Sequence, residues 1–483
     1  MKIFKHLGLL LLLTAMLPLV SCTKKTDAAA LSVSSAQENF TADGGTKEVS
    51  VTCTSQWSVS DTSWWCLSKG EPSQGNGKIT ILIQPNVSSL ERTTILSVSS
   101  GNNLKEIKVV QAGKTVSVPI NTDPPDSIAP DQAGMRNLNS VDLAKEMKIG
   151  WNIGNSLEAT GGETAWGNPK ITQTLIDSIK KAGFNAIRIP VAWSKFTDAA
   201  TFRIDTAWLG RVEQVVNYVL KNNMYAIINN HWDGGWMQPT NAKKDYVNGR
   251  LAAIWRQVAI RFRNYDDHLL FAGSNEVMVE GNYNTPTVEY YTVQNSFNQT
   301  FVSAVRATGG RNAYRHLIVQ GFNTNIDHTV NFFVAPVDRV EKRLMVEVHY
   351  YDPYDFTLNT TSTITQWGKN ATDPAKTETW ANEAYADGQF QKMKLKFIDN
   401  GYAVILGEYG AIARLNLGSA ALNADHAAYR KYYMEYITKS IVSHGLIPFY
   451  WDSGFTGDNG MGIFDRASGG RAYPGIVAAI VSP

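Results

Sequence analysis

The sequence has few of the residues that bind metals or form redox centres. Its 483 residues include three cysteines and eight histidines, with neither a Cys-x-x-Cys pair nor a His-Glu-x-x-His motif. His231 and His349 lie on different predicted strands, and no obvious third ligand accompanies them. The sequence therefore gives no metal signature, and we expect no cofactor.

Excess charge of either sign is also absent. Lys and Arg number 45 against 43 Asp and Glu, which gives a formal net charge of +2, and basic residues never occur in runs longer than two. Proteins that bind nucleic acid or an anionic surface carry a basic patch or stripe. We therefore expect neither as a partner.

Long hydrophobic runs are lacking except at the N-terminus. Lys2 and Lys5 precede the apolar segment LGLLLLLTAMLPLV. This segment is too short for a membrane span and indicates an export signal over residues 1–21. The segment ends in Leu-Val-Ser followed by Cys22, which resembles the bacterial lipobox, whose cysteine is lipidated. The sequence predicts a bacterial outer-membrane lipoprotein anchored at Cys22. The cell surface is favoured over the periplasm, although the sequence leaves that orientation open.

Residues 31–113 are rich in short β-type runs separated by Gly, Asn and Ser, such as KITILIQP and KEIKVVQAG, which predicts a small antiparallel sandwich. Trp57, the pair Trp64-Trp65, ERTTILSV and the closing VVQAG resemble the BACON module, an immunoglobulin-like domain. The sequence favours a spacer role for it, with glycan binding as the alternative. Cys53 and Cys66 form either a disulfide or two buried thiols.

Residues 114–135 contain four prolines and few apolar residues, which predicts a linker. From residue 136 to 483, eight apolar runs alternate with helix-period segments such as TQTLIDSIKKAG, which should end at Gly183. This alternation predicts an α/β fold, a (β/α)8 or TIM barrel. A doubly wound open sheet is the alternative, but GWNIGNS is a poor match to its glycine-rich phosphate turn.

Polar and aromatic residues follow one predicted barrel strand after another. Because barrel active sites form at the C-terminal ends of the strands, these residues are expected to converge. They are Arg188 on strand 2, His231 on strand 3, Asn275 and Glu276 on strand 4, His349 and Tyr351 on strand 6, Glu408 on strand 7 and Trp451 on strand 8.

Glu408 ends the apolar run AVILGEYG, where an unpaired buried charge would cost several kcal/mol. Strands 4 and 7 lie nearly opposite each other around an eight-stranded barrel, so Glu276 and Glu408 can face one another across its mouth. Retaining glycosidases use such a pair, about 5–5.5 Å apart, with one nucleophile and one acid/base. Strand order alone does not decide which glutamate has which role.

The motifs SNEV, VHYYDP, ILGEYG, FYWDSG and IRIPVAW together resemble glycoside hydrolase family 5, most closely its subfamily 4 of endo-β-1,4-glucanases. The resemblance implies that Glu276 is the acid/base and Glu408 the nucleophile. It also implies that Asn275 binds the sugar 2-hydroxyl and that Arg188 steadies the nucleophile. The remaining family positions around the −1 sugar are matched by His231, His349, Tyr351 and Trp451. Many relatives have two consecutive histidines where this chain has His231 followed by Trp232.

Aromatic residues are plentiful, with 13 Trp and 20 Tyr, and aromatic faces stack on sugar rings. Trp236 and Trp367 have glycine neighbours and are predicted to line an open cleft, with packing at the barrel rim as the alternative for each. The long loop 352–380 is predicted to form one wall of the cleft.

The resemblance implies a monomeric polysaccharide hydrolase acting on β-1,4-glucan backbones, with xyloglucan favoured. Cellulose or mixed-linkage glucan is an alternative. A non-catalytic glycan-binding lipoprotein is a further alternative, but such a protein would be expected to have lost one carboxylate.

Overall fold

The computed structural model describes residues 30–60, 63, 65–70, 75–86, 91–113, 126–231 and 234–483. The predicted signal, the lipobox with Cys22 and Trp232 lie outside these residues. The chain divides into two compact units. The first comprises Met1–Asn39, Gly45–Ile83 and Thr93–Val110, and the second comprises Phe40–Gly44, Gln84–Arg92 and Gln111–Pro483.

The N-terminal region forms two four-stranded sheets with strand orders β1-β3-β6-β5 and β2-β8-β7-β4. Side chains alternate between buried and exposed along these strands, as in Val49 and Val51 on one sheet and Leu96 and Val98 on the other. This confirms the predicted all-β sandwich. Cys53 and Cys66 are both buried thiols rather than a disulfide. The strands are β1 (Leu31–Val33), β2 (Gln37–Phe40), β3 (Gly45–Cys53), β4 (Ser58–Ser60), β5 (Cys66–Gly70), β6 (Gly77–Ile83), β7 (Arg92–Ser100) and β8 (Asn103–Gln111).

The last part of the predicted linker belongs to the second unit. Strand β9 (Ile128–Pro130) pairs in parallel with β14 (Gly309–Gly310), and the backbone N–H of Asp131 donates to the carbonyl of Gly310 at 3.1 Å. Met135 is buried. This differs from the prediction of a linker up to residue 135, because an apolar anchor and a short strand pair fix these proline-containing residues.

Eight parallel strands close into a barrel, since β10 pairs with both β11 and β18. Closure confirms the predicted (β/α)8 fold and excludes the open-sheet alternative. The strands are β10 (Gly150–Ile153), β11 (Ala186–Ile189), β12 (Tyr225–Asn229), β13 (Leu269–Ala272), β15 (Leu317–Gln320), β16 (Leu344–Tyr350), β17 (Ala403–Tyr409) and β18 (Ile447–Asp452).

A helix follows each barrel strand, and Leu143 and Met147 of an additional helix, α1, pack against the interior side chains of the barrel. Helix α2 ends before Gly183, whose positive φ of 116° suits a residue without a side chain. No helix in the described part of the chain combines the length and apolar character needed to cross a membrane. The helices are α1 (Ser140–Met147), α2 (Gln173–Ala182), α3 (Thr206–Leu220), α4 (Asn241–Phe262), α5 (Val288–Ala307), α6 (Ile326–Phe332), α7 (Tyr354–Thr357), α8 (Glu383–Lys396), α9 (Ala420–Ser443) and α10 (Pro474–Val481).

Strand β17 contains a bulge that decides where Glu408 points. Leu406 is paired with Val348, but the next pair is Glu408 with His349, so Gly407 is an extra residue in the strand. Ile405 faces the barrel interior, and regular alternation would place Gly407 inward and Glu408 outward. The extra residue returns Glu408 to the interior face, in keeping with the role of bulges in re-aiming side chains.

Candidate active site

Arg188 lies at the centre of the polar residues at the C-terminal ends of the strands. Its side chain is fully buried, with Nη1 donating to Glu408 Oε1 at 2.9 Å and Nη2 donating to Asn275 Oδ1 at 2.6 Å. Burial alone lowers the pKa of Arg188, but the neighbouring carboxylates, led by Glu347 and Glu408, raise it above its usual value. Arg188 is therefore a fixed cation that orients Glu408 and Asn275 together.

Glu408 is held from two sides and is 5% exposed. Arg188 binds Oε1, and the hydroxyl of Tyr351 donates to Oε2 at 3.1 Å. Burial raises the pKa of Glu408 above its usual value, while the cations of His349 and Arg188 oppose that rise. The carboxylate has a fixed orientation and faces the barrel mouth.

Glu276 differs from Glu408 in its exposure, since 37% of its side chain is exposed. Its Oε1 lies 2.7 Å from His349 Nδ1. One carboxylate oxygen each of Glu276 and Glu408 and a ring nitrogen of His349 all lie within 4.8 Å of one another. This separation fits the about 5–5.5 Å of retaining glycosidases and not the about 6.5–9.5 Å of inverting ones.

The two histidines of the site have opposite charge states. Burial lowers the pKa of His349, but Glu408, Glu276 and Glu347 outweigh burial and raise it to about 9, so the ring is an imidazolium at neutral pH. Burial lowers the pKa of His231 well below its usual value, helped by Arg188 and His349, so this ring is neutral. His231 stacks on Trp451 with 5.8 Å between ring centroids.

These residues line a cavity of about 860 Å³. Its walls include both glutamates, His231, His349, Tyr351 and Trp451, together with Asp352, Tyr354 and Leu358 from the loop 352–380. A second cavity of about 400 Å³ is lined by Trp236, Tyr283 and Glu276 among others. The structure therefore brings together all the predicted strand-end residues, and it places Trp236 in a cavity that also contains Glu276.

The prediction that Trp367 lines the cleft is wrong. Trp367 is 2% exposed, its Nε1 donates to the carbonyl of Ala381 at 2.8 Å, and its ring packs edge-on against Tyr433 of α9 with 4.9 Å between centroids. The loop turns this indole toward the helices and presents Asp352 and Tyr354 to the cavity instead. A glycine neighbour marks a turn but does not say which side chains of the turn face outward.

Glu347 was not predicted as a site residue. It is fully buried on β16, with Oε1 2.8 Å from Arg188 Nε and 3.3 Å from His349 Nε2. Burial alone raises its pKa, but Arg188 and His349 lower it below its usual value. Its signal in the sequence is the one that drew attention to Glu408, namely a carboxylate inside an apolar run, here LMVEVHYY.

Within the described part of the chain, two clusters have the residue types that bind metals. In the first, Glu276, His349 and Glu408, both ring nitrogens of His349 face carboxylate oxygens and the ring is protonated, so it offers no lone pair to a cation. In the second, Asp266, Asp267 and His268, Asp267 Oδ2 accepts from Arg136 Nε at 2.8 Å. Because these groups are engaged with protons and cations, we assign neither cluster as a metal centre.

A closed (β/α)8 barrel with two glutamates this close at the C-terminal mouth defines a retaining glycoside hydrolase. The sequence matches "Cellulase (glycosyl hydrolase family 5)" over residues 152–457 and BACON over residues 55–112. The chain belongs to glycoside hydrolase family 5.

Curated relatives resemble the chain over most of their length. It is 40% identical over 480 residues to the xyloglucan-specific endo-β-1,4-glucanase of Bacteroides ovatus, covering 96% of this chain and 93% of that protein. It is 41% identical over 370 residues to endoglucanase A of Paenibacillus barcinonensis, covering 72% of this chain and 91% of that protein.

Solved structures agree with these relatives. The Bacteroides ovatus GH5 xyloglucanase in complex with a XXXG heptasaccharide superposes with a TM-score of 0.72 at 40% identity, covering 94% of this chain and 99% of that one. A GH5-4 broad specificity endoglucanase from Bacteroides salanitronis superposes with a TM-score of 0.66 at 38% identity, covering 72% of this chain and 96% of that one.

Proposed function

We propose that the protein is an endo-β-1,4-glucanase that cleaves the backbone of xyloglucan, with Glu408 as nucleophile and Glu276 as acid/base. The different surroundings of the two glutamates support these roles. Glu408 is buried and held by Arg188 and Tyr351, as suits a nucleophile with a fixed direction of attack. Glu276 is partly exposed, as suits a group that must meet both a leaving group and an incoming water.

In the first step, an oxygen of Glu408 attacks the anomeric carbon, and the bond from that carbon to the glycosidic oxygen breaks. The leaving oxygen takes a proton from Glu276. His349 Nδ1 lies 2.7 Å from Oε1 of Glu276, and a protonated ring donates to that oxygen, which leaves Oε2 to carry the transferable proton. In the second step Glu276 accepts a proton from water, the water oxygen attacks the anomeric carbon, and the ester bond to Glu408 breaks.

The choice of xyloglucan is supported by the xyloglucan-specific relative, which matches this chain over 96% of its length, across both the sandwich and the barrel. Both glutamates line a cavity of about 860 Å³. A second candidate is a broad β-glucanase, because barrels 35–38% identical to this one are named broad specificity endoglucanases.

Initial rates and products on xyloglucan, mixed-linkage glucan, carboxymethylcellulose, mannan and xylan, measured side by side, separate these candidates. We expect the highest kcat/KM on xyloglucan, with oligosaccharides of several backbone units released from the start. Comparable kcat/KM on carboxymethylcellulose and mixed-linkage glucan would favour the broad enzyme. Faster cleavage of mannan or xylan would contradict the proposal.

We further propose that the mature protein is a monomer attached through a lipidated Cys22 to the bacterial outer membrane, facing the cell exterior. The lipobox-like Leu19-Val20-Ser21-Cys22 supports the anchor. One acyl chain gives only marginal attachment, so a durable anchor needs more than one chain on the cysteine. A polymeric substrate too large to cross the outer membrane supports the outward orientation. Protease accessibility on intact cells tests the outward orientation. The mass of the Cys22→Ala protein in detergent-free solution tests whether the protein is a monomer.

A further inference from the structure

Glu347 occupies the layer of the barrel interior directly beneath the two catalytic glutamates. Its side chain is fully buried, so substrate cannot touch it. Its contacts are to Arg188 Nε at 2.8 Å, to His349 Nε2 at 3.3 Å and to Gln320 Nε2, which donates to Oε2 at 2.6 Å. A carboxylate in the middle of a barrel is costly unless it is paired, and here it is paired with two cations.

Each of these cations binds a catalytic glutamate with its opposite side. Arg188 contacts Glu347 through Nε and Glu408 through Nη1. His349 contacts Glu347 through Nε2 and Glu276 through Nδ1. Glu347 is thus connected to both catalytic glutamates, to Glu408 through Arg188 and to Glu276 through His349.

We propose that Glu347 is a positioning residue for the reaction: it holds the side chains of Arg188 and His349 in the orientations that they present to Glu408 and Glu276. The negative charge of Glu347 also favours the protonated form of the His349 ring, and this charge is lost when Glu347 is replaced by Gln. A ring that gives up the Nδ1 proton no longer donates to Oε1 of Glu276.

The surrounding chain is arranged to accommodate this carboxylate. A Cβ at Gly407 would lie 2.1 Å from Glu347 Oε1, so the absence of a side chain there makes room for Glu347. Ser274 donates to Gln320 Oε1 from both its backbone N–H and its hydroxyl, each at 3.0 Å. This fixes the amide of Gln320 so that its NH2 group points at Glu347.

The proton on His349 depends on every ionisable group around it. Glu347 and Tyr351 come from its own strand and the residues after it, Glu276 from the end of β13, and Glu408 from β17. The remaining groups are Arg188 on β11 and neutral His231 after β12. Burial opposes the protonated ring and the glutamates favour it, so removal of the charge of Glu347 should move the deprotonation of His349 to lower pH.

The Glu347→Gln variant, assayed on an aryl β-cellobioside, tests this role independently of xyloglucan preference. We expect kcat to fall about 10- to 150-fold, the loss typical of a hydrogen bond to a charged group. KM should change little because Glu347 is out of reach of substrate. The basic limb of the kcat profile should move to lower pH, and Glu347→Asp, which keeps the charge, should restore part of that shift.

The matched control is Asp338→Asn, which removes another buried carboxylate, paired with Arg306 at 2.7 Å. Asp338 precedes the N-terminal end of β16, whereas the active site lies at the C-terminal ends of the strands. It should leave the shape of the pH profile unchanged. A Glu347→Gln enzyme with a wild-type pH profile, or a loss of activity that only follows the loss of folded protein by circular dichroism, would overturn the proposal. NMR titration of His349 in the unaltered enzyme decides the matter even if the variant does not fold, because a ring already neutral at pH 7 contradicts the role.

Discussion

Replacing Tyr351 by Phe removes a single oxygen atom from the site and, with it, the hydrogen bond to Oε2 of Glu408 at 3.1 Å. Because Glu408 is only 5% exposed, water cannot freely take the place of the lost hydroxyl. A hydrogen bond to a charged group contributes about 1.5–3 kcal/mol. If the bond acts fully in the transition state, kcat/KM should fall about 10- to 150-fold.

The pH dependence of this variant provides a second, independent measurement. Glu408 attacks only when ionised, and a donor to the ionised carboxylate lowers its pKa. Without the Tyr351 hydroxyl, the pKa of Glu408 should rise further above its usual value, to which burial has already raised it. The acidic limb of kcat/KM should therefore move to higher pH, which initial rates on an aryl β-cellobioside between about pH 4 and 9 would measure.

The control is Tyr409→Phe, which makes the same change at the residue directly after Glu408 in β17. The hydroxyl of Tyr409 bonds Thr438 of α9 at 2.7 Å, on the outer face of the barrel. That variant should lose some stability and keep the wild-type acidic limb. If Tyr351→Phe kept kcat/KM within about twofold of wild type and left the acidic limb in place, the reasoning that Tyr351 steadies the ionised nucleophile would be refuted.

Three further predictions concern the glutamates, the anchor and the chain boundary. Glu408→Ala should abolish turnover, whereas Glu276→Ala should keep activity on aryl glycosides and be accelerated by azide, giving a β-glycosyl azide by NMR; an α-azide from Glu276→Ala would reverse the two roles. Cys22→Ala should release the enzyme from the membrane fraction without changing turnover, and membrane-bound activity in that variant would argue against lipidation. A fragment 126–483 should fold and hydrolyse soluble glucan, whereas 136–483, which lacks β9, should melt at a lower temperature; equal melting temperatures would show that the β9–β14 pair adds nothing.

The barrel was predictable because eight apolar runs alternate with segments of helical period along residues 136–483. The spacing of apolar residues distinguishes strands from helices directly in the sequence. Glu408 was found because a carboxylate within the apolar run AVILGEYG is costly to bury unless it is paired or functional. Glu347 could have been found by applying that argument to LMVEVHYY.

Other features depend on geometry that the sequence does not encode locally. The orientation of Trp367 depends on how the loop 352–380 folds back onto α9, and this follows from tertiary packing rather than from its glycine neighbour. The bulge at Gly407 depends on the register between β17 and β16, which only the paired strands reveal. Likewise, the sequence predicts a linker at the proline-containing residues 128–130, and only their pairing with Gly309–Gly310 shows that they form a strand.

The space at Gly407 links two positions that are 60 residues apart in the chain. A side chain at 407 and a glutamate at 347 compete for one volume, since the added Cβ would lie 2.1 Å from Oε1. Substitution at either position alone is therefore constrained by the residue at the other. Across descendants of a common ancestor, the two positions should change together: lineages that keep the glutamate retain glycine, and a side chain at 407 becomes acceptable only after residue 347 has become smaller.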